Sequence, residues 1–257
     1  MNNKKRIAAL LAAALLTATL LSACEKKPAA TQTPETVTPS ITLSDEARLA
    51  KNSEALKAAA IGDYVFWGAY EQDNNLENGK EEIEWKILDI KDGKAFLISK
   101  KGLDQKEYFP VYNNATWETS TLRAWLNGEF LNAAFTAEEQ ALIPTVTVEP
   151  GVNPRYRKTT DAGPATQDQV YVLSVTEAFQ YFETDEDRKC EPTDYAVANG
   201  VIKNSVDGNC WWWLRSPGYY QYTAAGVFGY IQIDGYDVNG MTDAARPVIW
   251  VDLTKLP

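Results

Sequence analysis

From Ile61 onward the chain alternates short apolar segments with polar breaks, and the period of the alternation changes along its length. Tyr64-Val65-Phe66-Trp67-Gly68 is a compact aromatic run that reads as a strand. Ile83, Trp85 and Ile87 alternate with Glu82, Glu84 and Lys86, the period-two pattern of a half-buried strand. Asp92-Gly93 then turns the chain into Ala95-Phe96-Leu97-Ile98, so a hairpin is predicted. At Ser120 the period becomes helical, and Leu122, Trp125, Leu126 and Phe130 fall on one face of a helix running toward Leu131. Thr136-Ala137-Glu138-Glu139 is a capping box opening a second short helix, which Pro144 stops. Val146 and Val148 begin a strand, and a loop rich in Pro, Asn, Arg and Thr follows. Tyr171-Val172-Leu173-Ser174 is another strand, leading into a helix from Ser174 to Phe182. Beyond it regular elements thin out, with strands expected over 211–214, 224–228 and 248–251. The fold class is α+β, with helices in the first half and loop-rich β structure in the C-terminal half.

The segment ahead of Ile61 is patterned for export. Lys4-Lys5-Arg6 precede an uncharged apolar run from Ile7 to Leu21, closed by Leu21-Ser22-Ala23-Cys24. That is the plan of a signal peptide over 1–23, and the run is short for a spanning helix. The closing motif resembles a bacterial lipobox, which implies lipidation at Cys24 after cleavage. Residues 24–43, with Pro28, Pro34 and Pro39 among small polar residues, read as a flexible linker. Ser44-Asp45-Glu46-Ala47 looks like a helix cap, so a helical stalk or lid is expected over 44–60, ahead of one domain over 61–254. The expected location is therefore the extracytoplasmic face of the membrane, held by a lipid anchor.

Charge narrows the partners. The chain carries a formal net charge of −10. Without the signal, 22 basic residues face 35 acidic ones, near −13. Nucleic acid is a poor partner for such a surface. The chain has no histidine, which removes the Ser-His-Asp and Cys-His nucleophile systems and every His-bearing zinc site. Asp185-Glu186-Asp187 lies in a polar loop and reads as a solvated face rather than a catalytic pair. No cofactor is called for, although oxygen ligands for calcium are plentiful; no EF-hand loop is present. Cys190 and Cys210 are the cysteines left once Cys24 is lipidated, and a structural disulfide between them is expected, with a pair of buried thiols and a redox pair as the alternatives.

The last fifty residues carry the densest chemistry. Cys210-Trp211-Trp212-Trp213-Leu214-Arg215-Ser216-Pro217-Gly218 and Arg246-Pro247-Val248-Ile249-Trp250 bracket a stretch rich in Tyr, Gly, Asp and Asn. Core packing is expected for Trp212 or Trp213, and Arg215 and Arg246 are expected to anchor loop carbonyls or carboxylates. Tyr219, Tyr220, Tyr222, Tyr230 and Tyr236 are five of the chain's thirteen tyrosines. Such a composition is that of a paratope, because Tyr offers large amphipathic contact area with few rotors to freeze. With no clean alternation, and with Gly229, Gly235 and Gly240 interrupting any long strand, the stretch is expected to form exposed loops. The expected ligand-binding residues are Tyr219, Tyr220, Tyr222, Phe228, Tyr230, Tyr236, Asp237, Asn239 and Asp243.

Cys190-Glu191-Pro192-Thr193-Asp194-Tyr195-Ala196, then the Trp-Trp-Leu-Arg-Ser-Pro-Gly core, then Arg246-Pro247, resemble a Gram-positive bacterial domain family of undefined biochemistry. The resemblance spans roughly 61–253. It implies a C-type-lectin-like fold related to formylglycine-generating enzymes and to the variable proteins of diversity-generating retroelements. On that likeness Trp212, Trp213, Leu214, Arg215, Ala224, Ala225, Val227, Gly235, Val238, Arg246 and Pro247 are scaffold. The tyrosines, with Phe228, Gln232, Asp234, Asp237, Asn239, Met241 and Asp243, are display positions. Ala245-Arg246-Pro247-Val248 departs from the family's more usual Val-Arg-Pro-Ala. The implied function is a non-enzymatic, lipid-anchored surface domain recognising an extracellular protein or glycan. The rivals are a formylglycine-generating-type enzyme, with Cys190 and Cys210 as its copper or redox pair, and a cell-envelope module without a dedicated ligand.

Overall fold

The structure, a computed structural model, describes residues 43–257. The expected signal peptide, Cys24 and all of the expected linker but Leu43 lie outside the described residues. Twelve strands and seven α-helices follow one another among them. Helix α1 spans Asp45–Ala58, and the Ser44 hydroxyl caps it by accepting from the Ala47 amide at 3.3 Å. Strands β1 (Tyr64–Tyr70), β2 (Glu81–Lys91) and β3 (Lys94–Ser99) form a meander. The β2–β3 turn sits at Asp92 and Gly93, both with positive φ, as a two-residue type I′ hairpin requires. After β4 (Asp104–Gln105) come α2 (Thr121–Trp125), α3 (Leu131–Ala134) and α4 (Ala137–Ala141). Next are β5 (Val146–Val148), β6 (Thr166–Asp168), β7 (Val170–Tyr171), α5 (Val175–Tyr181), α6 (Asp185–Arg188) and α7 (Asp194–Ala198). The C-terminal part holds β8 (Trp212–Pro217), β9 (Thr223–Phe228), β10 (Tyr230–Asp237), β11 (Ala244–Ala245) and β12 (Val248–Asp252).

Two five-stranded sheets organise the domain, in the orders β1-β2-β3-β12-β7 and β10-β9-β8-β11-β4. Pairing in them is antiparallel except between β11 and β8. The class is mixed α+β with a β-rich C-terminal half. The domain opens on strands and α5 follows Ser174, as expected, but helices are not confined to the first half: α5, α6 and α7 carry them to Ala198. Those late helices are four to seven residues long and begin at Ser174, Thr184 and Thr193, whose side chains accept from the amides of Glu177, Asp187 and Ala196. The helix over 45–58 packs on the first sheet, burying Asn52, Ser53 and Leu56, and its Asn52 side-chain amide donates to Glu82 at 2.8 Å.

Between α2 and α3 the helix widens into a π-type turn over Leu126–Phe130, in which the Leu131 amide donates to the Leu126 carbonyl. The extra residue swings Asn127 toward β6 and β7. Its Oδ1 accepts from the amides of Gln169 and Val170, and its Nδ2 donates to the Val170 carbonyl at 2.8 Å. One asparagine thus supplies the partners that a neighbouring strand would have given this edge. Trp67, Trp85, Trp212 and Trp213 are fully buried, and three of their indole N–H groups are spent on main-chain carbonyls. Trp85 donates to the Trp67 carbonyl, Trp212 to that of Arg188 and Trp213 to that of Lys106. Among the described residues no helix is long and apolar enough to cross a membrane.

Candidate functional site

Strand β8 sets the geometry, because its alternation sends Trp212 to one face and Trp213 to the other. Trp212 lies under the Arg246 guanidinium, 4.8 Å from the ring centre. Trp213 meets the edge of Tyr108 at 5.9 Å. At the end of β8 the chain turns through Gly218, where a Cβ would lie 2.3 Å from both the Asp234 carbonyl and the Thr223 hydroxyl. The loop it begins is pinned throughout. Gly218 donates to the Thr223 carbonyl at 2.8 Å, Tyr219 to that of Asp234 at 2.7 Å, and Val238 to that of Tyr222 at 3.0 Å. The Gln221 side chain donates to the carbonyls of Ala115 and Asp161 and accepts from the Asp161 amide. Asn153 bridges the carbonyls of Pro217 and Ile233, both at 2.8 Å.

On this fixed loop the tyrosine rings form a continuous chain. Tyr156 meets Tyr219 edge-on at 5.1 Å, Tyr219 meets Tyr220 at 4.4 Å, Tyr220 stacks on Tyr222 at 5.0 Å, and Tyr222 leans on Tyr112 at 4.5 Å. With Thr223, Gly235, Asp234 and Asp237 these rings line an open cup of about 430 Å³. The Tyr156 hydroxyl donates to the Asp234 carboxylate, which raises the phenol above its ordinary range. Tyr222 is raised as well, first by its hydrogen bond to Tyr112. Both phenols therefore stay neutral near pH 7 and act as hydrogen-bonding groups.

The expected binding residues divide. Tyr219, Tyr220, Tyr222 and Asp237 converge on the cup. Phe228 and Tyr236 instead pack against Trp211, each with centroids 4.3 Å away, beside a second cleft of about 370 Å³ walled by Ile202, Trp211 and Phe228. Tyr230 and Asn239 are exposed and line neither. Asp243 does not reach the surface at all: it is 2% exposed. The expectation of loops interrupted by glycines is also corrected over 230–237, which is the strand β10. Gly229 (φ +66) makes the tight turn from β9. Gly235 (φ +79) makes a bulge, where a Cβ would meet the Ala224 carbonyl at 2.6 Å. The bulge breaks the alternation that would have marked the strand in the sequence. Tyr112 and Tyr156, which close the cup's aromatic wall at its two ends, come from distant loops and carry no sequence signal toward it.

Cys190 and Cys210 lie side by side, with Sγ atoms 3.8 Å apart and exposures of 4% and 2%; the two thiols are hydrogen-bonded and no disulfide joins them. The Cys210 thiol is held well above its ordinary range by its hydrogen bond to Cys190 and by burial. Oxidation in an exported chain would close a loop of about twenty residues and add about 3 kcal/mol, or roughly 6–12 °C in Tm. Thiol counting on protein purified without reductant is expected to find no free Cys190 or Cys210, with Tm falling on reduction. Two titratable thiols and a Tm indifferent to reductant would rule the disulfide out.

Glu191 is exposed, and Thr193 caps α7 by accepting from the Ala196 amide at 3.0 Å, so this segment serves as a turn into a helix. Asp185-Glu186-Asp187 forms the first turn of α6 and pairs locally with Arg188 and Lys189. A group absent from the expectations, Glu71, Asp73 and Glu81, brings carboxylate oxygens within 4.8 Å of one another in the β1–β2 connection. Amides of Gln72, Asp73 and Asn75 and the side chain of Asn78 occupy those acceptors.

One family model matches, described as a domain of unknown function (DUF6273), over residues 92–253, more than half of the chain. No curated protein and no solved structure matches.

Proposed function

This chain belongs to the DUF6273 family, and from that premise we propose that it is a non-enzymatic binding protein whose tyrosine cup recognises an extracellular protein or glycan. It is held to the outer face of the membrane through lipid on Cys24. The observation that carries the reading is the pinned ring chain Tyr156–Tyr219–Tyr220–Tyr222–Tyr112 around an open cup. Rings fixed before contact lose little entropy on binding, and five phenol groups offer both contact area and hydrogen bonds. The two five-stranded sheets, the second built mostly from the C-terminal strands β8 to β11, support a C-type-lectin-like scaffold. The burial of both thiols favours a structural pair over a redox centre.

The test is a binding screen of the full chain against surface proteins and glycans, with a Tyr219→Ser, Tyr220→Ser, Tyr222→Ser variant alongside. Affinity is expected to fall by roughly a hundredfold or more in a variant that still melts cooperatively, the behaviour of clustered aromatic anchors. Tyr230→Ser is expected to leave it within about twofold, because this exposed ring does not line the cup. Binding that survives the triple variant would place recognition elsewhere.

A further inference from the structure

We infer that the tyrosine cup takes a basic side chain of a protein partner, a lysine ammonium or an arginine guanidinium, between its rings and the carboxylates of Asp234 and Asp237. The inference rests on the cup being the recognition site. The charge on its lining is of one sign: two aspartates and no cationic side chain. Asp237 stands exposed with no basic partner among the described residues, and it lies beside Tyr222, whose phenol it helps to raise. A phenol face carries negative quadrupole potential, so rings and carboxylates attract the same kind of group.

The rim already holds an example of the fit. The Arg155 guanidinium lies over the Tyr156 ring, 5.6 Å from its centre, and 4.0 Å from the Asp234 carboxylate. Tyr222 and Asp237 also line the cup, and there no arginine pairs with the carboxylate. A neutral sugar covering Asp237 would strip water from an ionised carboxylate without supplying opposite charge, and an anionic glycan would be repelled. A cation compensates the carboxylate as it desolvates it. The chain's net charge of −10 adds long-range attraction for a basic partner.

Calorimetric titration of the full chain with trilysine, Nε-acetylated trilysine and maltotriose tests this, on the parent and on Asp237→Asn and Tyr220→Ser, Tyr222→Ser variants. Trilysine is expected to bind with salt-sensitive affinity, and acetylation to weaken it about tenfold or more, the loss of one cation–π and carboxylate contact. Asp237→Asn is expected to weaken trilysine several-fold while leaving maltotriose unchanged. If acetylated trilysine or maltotriose binds as well as trilysine, and the tyrosine variant abolishes it, the cup stands as a site but not for a cation. If trilysine binds and neither variant weakens it, the cation sits elsewhere on the acidic surface and the inference falls. If no probe binds at millimolar concentration, the inference falls and the cup itself loses its support.

Discussion

Arg215→Met is expected to lower the free energy of unfolding by about 3–5 kcal/mol, the loss seen when one member of a buried ion pair is removed. Arg215 is 3% exposed near the end of β8. Its guanidinium engages both carboxylate oxygens of Glu177 and donates to the Val172 carbonyl at 2.9 Å and to the Glu149 carbonyl at 3.3 Å. Its own carbonyl accepts from the buried Tyr108 hydroxyl, and its amide donates to the Leu173 carbonyl. Burial alone would raise the Glu177 carboxyl, but Arg215 and the Ser174 amide outweigh it and hold it below its ordinary range. A depressed folded value means that the pair stabilises above the usual carboxylate range and loses its contribution as pH falls through that value. The gap between parent and variant is therefore expected to narrow in acid. Urea denaturation at neutral and at acidic pH measures both effects. Replacing both partners, Arg215→Met with Glu177→Leu, is expected to cost less than Arg215→Met alone, because no charge is then stranded. Equal losses in the single and double variants would show that packing, not charge, holds this corner.

That corner explains why the scaffold half of the C-terminal motif is legible in the sequence and the display half only in part. Arg215, Arg246 and the tryptophans sit in strong local patterns, and their burial follows from residue type: both arginines bind main-chain carbonyls, and both Trp212 and Trp213 are core. The first hairpin is legible for the same reason, since alternation over Ile83, Trp85 and Ile87 and a turn at Asp92-Gly93 lie within a dozen residues of one another. The cup depends on contacts that local pattern does not encode. Tyr112 and Tyr156 reach it only because Gln221 and Asn153 clamp three loops together. Strand β10 is hidden by the bulge at Gly235, which shifts its pairing with β9 between Gln232 and Tyr236. Asp243, polar and close to the display residues in sequence, gives no local sign that it turns inward.

That inward turn makes Asp243→Asn a substitution expected to strengthen the fold at neutral pH and above. The Asp243 carboxylate lies beside Gly226 and Gly240, with Oδ1 unpartnered and Oδ2 facing the Thr242 hydroxyl at 3.5 Å. Burial pushes its pKa up from 3.8 to about 7, and the Thr242 contact opposes this only in part. An unfolded chain ionises the group near its ordinary value, so between about pH 4 and pH 7 the folded state holds the proton that the unfolded state has released. This group's contribution to stability is then greatest in mild acid and declines by about 1.4 kcal/mol per pH unit across that window, about 4 kcal/mol in all, before levelling above pH 7. The asparagine side chain has nearly the same shape and no charge to bury, so the variant's stability is expected to be flat where the parent's falls. The two should be similar at about pH 4.5 and differ most at about pH 8, with the variant the more stable. Chemical denaturation at those two pH values decides it: parallel pH profiles would mean that Asp243 ionises freely inside the fold. The consequence reaches the surface, because Asp243 closes the loop that leaves β10 at Asp237 and its charge also bears on the Tyr236 phenol packed against Trp211. An ionised Asp243 favours opening of that loop to water, and the cost falls on the rim of the cup that Asp237 provides.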